Sequence, residues 1–224
     1  MHQLISKKVI IYLCLFFLLA TVNNSSIINL RLPKIEKIKI SGFSLDQSTH
    51  VRDIIESLKS KNIFFINQLE IKKDIFSDNI VEELNIFKNY PSTLIVDIKK
   101  TQFLAVTKKD GDDYFIGRNG KLIKKNESIA KLPFVFGDLN ISEFLEFKKN
   151  IDNSNFEYTQ ILNLYYYKSK RLDIETSTGY LIKLPRENIG EVLDLFNRLS
   201  KEKNFNNKKT IDFRQKGQII LDAE

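Results

Sequence analysis

The sequence predicts an α+β fold that has three parts. These are an apolar N-terminal helix, a small unit of the order strand-helix-helix-strand-strand, and a β-rich region of mainly antiparallel strands with two helices. Three patterns indicate this: an uncharged apolar run over 9–22, a two-residue alternation over 94–100, and short alternating segments separated by turn residues in the second half. The chain has 224 residues, 42% hydrophobic and 28% charged, which is enough for one large or two small folded domains.

The apolar run over 9–22 is predicted to be a membrane anchor. A helix of this length covers about 21 Å, less than the roughly 30 Å of a bilayer core, so the run alone is typical of a signal peptide. Extension through Ile28 gives twenty residues, and we therefore predict an anchor over 9–28. Release by signal-peptide cleavage remains the alternative. Because Lys7 and Lys8 flank the run directly, we expect residues 29–224 to lie outside the cytoplasm.

The small unit is predicted over 34–101. A strand over 34–41 ends at Gly42, Ser48 is a suitable N-cap for a first helix, and Asn67 is suitable for a second helix over 68–76. The apolar stripe of the first helix consists of Val51, Ile54, Ile55 and Leu58, at helical spacing. A sheet is needed to bury this stripe.

An antiparallel hairpin is predicted to provide that sheet. The alternating segment 94–100 follows the turn residues 90–93, and a second half-buried run covers 81–88. An isolated hairpin is only marginally stable in water. We therefore expect the two helices to cover one face of a three-stranded sheet.

The remainder, 102–224, is predicted to be a β-rich domain. Turn signals occur at 110–111, 119–120 and 177–179. The predicted strands are 103–108, 114–116, 121–124, 132–137, 161–167, 171–176, 180–184, 210–214 and 218–221, and the predicted helices are 141–151 and 187–199.

The basic charge does not indicate nucleic-acid binding. The formal net charge is +7, but 28 of the 35 basic residues are Lys and seven are Arg. Arg is the better donor for forked phosphate contacts, and no basic cluster is interleaved with aromatic residues. We interpret the charge as a solvated surface.

The sequence carries no recognisable catalytic pattern. Its single cysteine, Cys14, lies in the apolar run, and its two histidines, His2 and His50, have no nearby partners for a catalytic triad or a metal site. No nucleophile-elbow, zinc-protease, paired-cysteine or phosphate-loop motif is present. We therefore predict a protein that is not an enzyme, has no cofactor or metal site and takes no small-molecule substrate.

Several motifs occur in a fixed order within residues 5–222. They are Ile38-x-Ile40-x-Gly42, Tyr90-Pro91-x-x-Leu94-x-Val96-x-Ile98, Ala105, Gly120, Leu132-Pro133 with Gly137, Arg171-x-x-Ile174 with Gly179 and Lys183-Leu184, and Ile211-Asp212-Phe213-Arg214. This order resembles the bacterial cell-division family FtsQ/DivIB, and the small unit resembles a POTRA domain. Each motif alone is weakly specific, and their order carries the resemblance.

Three positions depart from the family pattern. The usual Glu-Arg-x-Pro-x-Ala after the hairpin is replaced over 100–105, where only Ala105 is kept. Gly117 stands where an Asp is usual, and Gln215 stands where an aromatic residue commonly follows the arginine. The last change affects residue-level details of partner contact and leaves the fold unaffected.

The resemblance implies a single-pass inner-membrane protein of the division septum with its C-terminal domain in the periplasm. The implied organisation is a cytoplasmic head (1–8), an anchor (9–28), a linker (29–33), a POTRA domain (34–101) and a β domain (102–224). It implies a non-enzymatic scaffold that binds FtsB and FtsL and links early division proteins to septal peptidoglycan synthesis. The alternative is a secreted periplasmic binding protein or enzyme released by cleavage.

The last strand suggests how partners bind. A short strand over 217–221 has at most one neighbour if it lies at a sheet edge, so its free backbone groups can pair with a partner strand. The opposing interpretation is an ordinary edge protected by the tail 222–224. With the resemblance, the predicted partner contacts are Phe213, Arg214, Gln215, Gly217, Gln218, Ile219, Ile220 and Leu221.

Overall fold

The computed structural model describes residues 7–22, 32–125, 131–137, 140–201 and 209–222. These residues form an N-terminal helix, a small unit with a three-stranded sheet, and a larger unit with a nine-stranded sheet. The predicted α+β class is confirmed.

The N-terminal helix, α1, covers Lys7–Val22. Its side chains from 7 to 21 are exposed. Within the described ranges, no helix is both long enough and apolar enough to cross a bilayer. The predicted anchor over 9–28 extends beyond Val22 into residues that lie outside the described ranges.

The small unit has the predicted element order. It consists of β1 (Lys37–Ser41), α2 (Thr49–Leu58), α3 (Gln68–Phe76), β2 (Val81–Asn89) and β3 (Thr93–Lys100). Strand β3 lies in the centre of the sheet, antiparallel to β2 and parallel to β1. The first strand is shorter than predicted, because Lys34 forms an isolated bridge with Asn62 and the Ile35 N–H donates to Lys61 O at 2.8 Å.

Both predicted helix caps are present. The Ser48 hydroxyl accepts a hydrogen bond from the Val51 N–H at 3.1 Å, and the Asn67 side-chain oxygen accepts one from the Leu69 N–H at 3.1 Å. Each cap satisfies an N–H group that the first helical turn leaves without a backbone partner. The helices then bury apolar side chains against the sheet: Val51, Ile55, Leu58, Ile71, Ile75, Leu84, Ile86, Leu94, Val96 and Ile98.

The larger unit contains nine strands and two helices. They are β4 (Phe103–Lys109), β5 (Asp112–Gly117), β6 (Leu122–Lys124), β7 (Phe134–Gly137), α4 (Ile141–Asp152), β8 (Ile161–Tyr166), β9 (Leu172–Thr176), β10 (Leu181–Lys183), α5 (Ile189–Leu199), β11 (Thr210–Asp212) and β12 (Ile220–Asp222). The sheet order is β12-β11-β10-β9-β8-β7-β4-β5-β6.

Five of the eight neighbouring strand pairs in this sheet are antiparallel, which confirms the predicted majority. The three parallel pairs are β4–β7, β7–β8 and β10–β11. Helices α4 and α5 provide the crossover connections that two of these pairs require. The sheet is therefore mixed, which the sequence did not predict.

One row of side chains across the sheet builds the core of the larger unit. Leu164, Ile174, Ile182 and Ile211 are directly opposite one another on β8, β9, β10 and β11, and all four are fully buried. The aromatic and apolar faces of α4 and α5 pack with this row. These contacts fix the position of β11 and hence of the strand beside it.

Side-chain hydrogen bonds join the two units. The Asn79 amide donates to Leu122 O at 2.8 Å, and the Asn119 amide donates to Asn79 O at 2.9 Å and to Val81 O at 3.2 Å. The Lys121 ammonium donates to Phe76 O at 2.9 Å. Strand β6, at one edge of the large sheet, is therefore held against the small unit.

Candidate partner-binding edge

Strand β12 forms the other edge of the nine-stranded sheet. It pairs only with β11, and Asp212 is opposite Ile220, Ile211 opposite Leu221, and Thr210 opposite Asp222. Within the described part of the chain, no strand pairs with its outer side. The last strand therefore lies at a sheet edge, the condition on which the hypothesis of strand addition depended, and it begins at Ile220 and not at Gln218.

A turn at Gly217 brings the chain back beside β11. The Gln218 N–H donates to Gln215 O at 3.2 Å, which closes the turn. Gly217 has φ +77°, in the left-handed region that favours glycine. No atom lies within 4 Å of the position a Cβ would take, so the requirement for glycine comes from the backbone angle alone.

Three consecutive apolar side chains are exposed at this edge. Ile219, Ile220 and Leu221 are 38%, 47% and 36% exposed. Leu221 continues the buried row that ends in Ile211, and Ile220 is opposite Asp212 on the other face of the sheet. A strand added here would therefore find an apolar side chain on each face.

An open groove of about 900 Å³ adjoins the edge. Residues 213–219 line one side, and α5 lines the other with Glu191, Val192 and Leu195. Arg171 and Arg186 also line it, so the groove combines apolar and charged surface. Sequence reasoning missed the contribution of α5, because nothing local indicates that this helix lies beside the last strand.

Arg214 is fixed by Asp212. Its Nε lies 2.8 Å from Asp212 Oδ1 and 3.0 Å from Oδ2, its Nη2 also contacts Oδ2, and its backbone N–H donates to Oδ1 at 3.0 Å. The hydrogen bonds from Arg214 hold the pKa of the Asp212 carboxyl below its usual value. Asp212 and Arg214 are two residues apart at a strand end, a spacing from which the pair could have been inferred.

Asp173 is a second carboxylate near the groove and is almost fully buried. Burial raises its pKa, while the charges of Arg171, Arg214 and Lys183 oppose this shift. Arg171 Nε lies 3.2 Å from Asp173 Oδ1 without forming a hydrogen bond, and its guanidinium lies 3.7 Å from the Tyr167 ring centroid. The groove is therefore bordered by positioned arginines.

The eight predicted contact residues fall into four groups. Phe213 is buried in the core, with only 6% of its surface exposed. Arg214 pairs with Asp212, and Gln215, Gly217 and Gln218 form the turn. Ile219, Ile220 and Leu221 form the exposed apolar edge. The structure thus brings the last seven together at the surface, with Phe213 beneath them.

The described residues contain no cluster of three or more His, Cys, Asp or Glu side chains able to hold a metal ion. At the edge itself the polar groups already described are the Arg214–Asp212 ion pair and the exposed backbone of β12. This arrangement is suited to recognition of another chain.

Comparison with known families assigns both units. The family model for the POTRA domain, FtsQ-type, matches residues 34–100, and the model for the C-terminal region of the cell division protein FtsQ/DivIB matches residues 105–214. The chain belongs to the FtsQ/DivIB family. The predicted resemblance is confirmed, and the small and large units are from here on called the POTRA domain and the β domain.

Curated relatives agree with this assignment. The cell division protein FtsQ of Rickettsia bellii is 25% identical over 197 residues, which cover 84% of this chain and 72% of that protein. The cell division protein DivIB of Clostridium botulinum is 28% identical over 146 residues, which cover 64% of this chain and 54% of that protein. The match therefore spans just over half the length of the Clostridium protein.

Among solved structures, the extracytoplasmic domain of DivIB from Geobacillus stearothermophilus matches 48% of this chain and 98% of its own length. The sequence identity is 11% and the TM-score is 0.35. A score this low supports no inference, and the assignment depends on the family models and relatives.

Proposed function

We propose that this protein is a non-enzymatic scaffold of the bacterial division apparatus that recruits its partners by strand addition at β12. The partners are the FtsB and FtsL counterparts, and the scaffold links early division proteins to septal peptidoglycan synthesis. The observation that carries the proposal is that no described strand pairs with the outer side of β12, together with three exposed apolar side chains. Such an edge pairs readily with another strand.

The groove beside β12 gives the interaction a second component. An added strand would be followed by further chain, and the groove between α5 and residues 213–219 provides apolar and charged surface next to it. Backbone pairing would provide affinity, and the groove would provide selectivity among partners. Arg214, held in place by Asp212, loses little conformational entropy when it contacts a partner acid.

The anchor is the second part of the proposal. We propose that residues 9–28 hold the protein in the inner membrane at the division septum, with the POTRA and β domains in the periplasm. Support comes from the uncharged run and its flanking lysines. Measurement of the mature mass, together with membrane fractionation, tests it. An uncleaved chain in the membrane fraction is expected, and a shortened chain in the soluble fraction would indicate a secreted protein.

A charge introduced on β12 tests the strand addition. Ile220→Lys gives β12 the residue type that protects natural sheet edges, and we expect binding of the extracytoplasmic part of the FtsB counterpart to weaken at least about tenfold. Lys124→Glu, at the opposite edge, is the matched control and should bind normally. Equal recovery of the partner by wild type and Ile220→Lys, with the variant folded, would contradict the proposal.

A further inference from the structure

The POTRA domain exposes apolar side chains at one end, which we call the aromatic pole. It consists of Leu32, Phe64, Phe65, Leu69 and Tyr90. Phe65 and Leu69 are each 77% exposed, and the other three are about half exposed. Clustered exposed apolar residues on a folded domain mark a contact surface more often than scattered ones do.

Hydrogen bonds and ring stacking hold the residues of the aromatic pole in place. The Phe64 N–H donates to the Asn62 side-chain oxygen at 2.9 Å, and the Phe64 and Tyr90 rings stack with centroids 5.0 Å apart. The Lys88 ammonium donates to Phe64 O at 3.3 Å and Ile66 O at 3.1 Å. Ile63, between these contacts, is fully buried. The Phe64 and Tyr90 rings are therefore positioned by defined contacts, and the Phe65 N–H donates to Asn62 O at 3.2 Å, which fixes the backbone that carries the Phe65 ring.

Topology places the pole where the chain enters the domain from α1. Strand β1 begins at this end, since Lys37 is opposite Thr93, the first residue of β3 after the hairpin turn. Nine residues separate Val22 from Leu32, so an extended connection reaches at most about 35 Å. The chain thus limits how far the pole can lie from the helix end.

The β domain is attached at the opposite end of the POTRA domain. Strand β2 runs for nine residues, about 27 Å, from Val81 at the junction with the β domain to Asn89 near the pole. The Thr101 N–H donates to Ile80 O at 2.9 Å at the junction. The partner edge of the β domain and the aromatic pole therefore lie on different parts of the molecule.

Basic side chains surround the pole. Lys34, Lys59 and Lys61 are exposed beside it, and none forms an ion pair within the part of the chain that the structure describes. Of the acidic neighbours, Glu36 accepts a hydrogen bond from the Ser92 hydroxyl at 3.3 Å, and Glu70 is exposed. Aromatic rings flanked by lysines suit the headgroup region of an anionic bilayer.

We infer that the aromatic pole rests on the anionic phospholipid surface of the membrane in which the protein is anchored. This inference depends on the anchor proposed above. Phe65 and Leu69 enter the boundary between headgroups and acyl chains, and the three lysines contact lipid phosphates. The contact orients the POTRA domain with the aromatic pole toward the bilayer. The β domain and its β12 edge then point away from the bilayer.

A tryptophan probe tests the contact, because the chain contains no tryptophan. The full chain carrying Phe65→Trp is placed in nanodiscs of phosphatidylcholine and phosphatidylglycerol with brominated acyl chains. We expect the tryptophan fluorescence to be several-fold weaker in the brominated discs than in matched unbrominated discs. Leu162→Trp, half exposed on β8 of the β domain, is the matched control and should not be quenched.

A charge test accompanies it. In the Phe65→Trp background, Lys34→Glu with Lys61→Glu should reduce quenching, whereas Lys108→Glu with Lys109→Glu, an equal charge change in the β domain, should not.

Unquenched Phe65→Trp in a chain that is present in the discs would overturn the lipid contact alone. A change in Phe65→Trp fluorescence that occurs only when the FtsB fragment is added would also overturn the lipid contact, because it would show that the pole binds a protein. A chain recovered outside the discs would overturn the anchor and the contact together.

Discussion

The two edges of the nine-stranded sheet differ in how their backbone is protected. Strand β6 carries Lys124, which is paired with Asp112 at 2.8 Å, and the POTRA domain covers it through the hydrogen bond from Asn79 to Leu122 O. Strand β12 has apolar side chains and no neighbour on its outer side within the described residues. Charge and coverage are the usual protections of an edge; β6 has both, whereas β12 carries one charged residue, Asp222, and no cover from the described residues. We propose that this difference leaves β12 available for pairing.

Removal of β12 is expected to have the largest effect. A chain that ends at Gly217 loses the docking strand and the three exposed apolar residues and leaves β11 at the edge, so binding of the FtsB fragment should fall below detection. Because the three side chains keep 36–47% of their surface exposed and β12 forms only three residue pairs with β11, the urea unfolding midpoint should fall only modestly. Binding titration and urea unfolding of the same preparations measure both quantities. Retained binding by a folded, shortened chain would show that β12 is not the docking strand.

Loss of the junction hydrogen bonds of Asn119 should have an intermediate effect. Asn119→Ala removes the hydrogen bonds to Asn79 O and Val81 O, together with the one from the Lys121 N–H, and we expect a loss of about 1–2 kcal/mol in the free energy of unfolding. Small-angle scattering should also show a wider range of orientations between the domains. Asn85→Ala, at an exposed position on β2, is the control and should change the free energy by less than about 0.5 kcal/mol. Equal free energies of unfolding for the two variants would show that Asn119 does not stabilise the junction.

The smallest predicted effect concerns the buried charge on the β12 side of the sheet. Burial raises the pKa of Asp173, so its favourable contribution to stability is complete below the ordinary aspartate pKa and is lost as the pH rises through the raised value. Asp173→Asn removes this dependence, so the stability of wild type relative to the variant should increase on acidification through that range. Urea unfolding midpoints measured as a function of pH test it.

Asp212→Asn is the control with the opposite sign. Arg214 lowers the pKa of Asp212, so this residue stabilises the fold above the ordinary aspartate pKa and the stabilisation is lost as the pH falls through the lowered value. The stability of wild type relative to Asp212→Asn should therefore decrease on acidification. Parallel curves for wild type and Asp173→Asn would contradict the assignment of a raised pKa to Asp173.

Local chemistry was sufficient to predict the POTRA domain. The caps at Ser48 and Asn67 and the hairpin of β2 and β3 depend on residues close in sequence, and all three were found where expected. The β1 boundary was wrong because Lys34 takes part in a bridge to Asn62, a contact between residues far apart in the chain. Such pairings leave no local pattern.

The β domain was predicted less completely for the same reason. Its strands were located, but the parallel pairing of β7 with β8 depends on a crossover through α4, and the parallel pairing of β7 with β4 joins two strands that β5 and β6 separate in the chain. The last strand was located, but its edge position was only a condition of the strand-addition hypothesis. The adjoining groove was not predicted, since Arg171 and α5 reach it only through the sheet order.

Hydrogen–deuterium exchange at the two edges tests the central claim most directly. Backbone amides of 219–222 and 122–124 in the full chain are compared with and without the extracytoplasmic part of the FtsB counterpart. We predict slower exchange at 219–222 on partner binding and unchanged exchange at 122–124, because an added strand protects only the open edge. Unchanged exchange at 219–222 with the partner fully bound would contradict strand addition at β12.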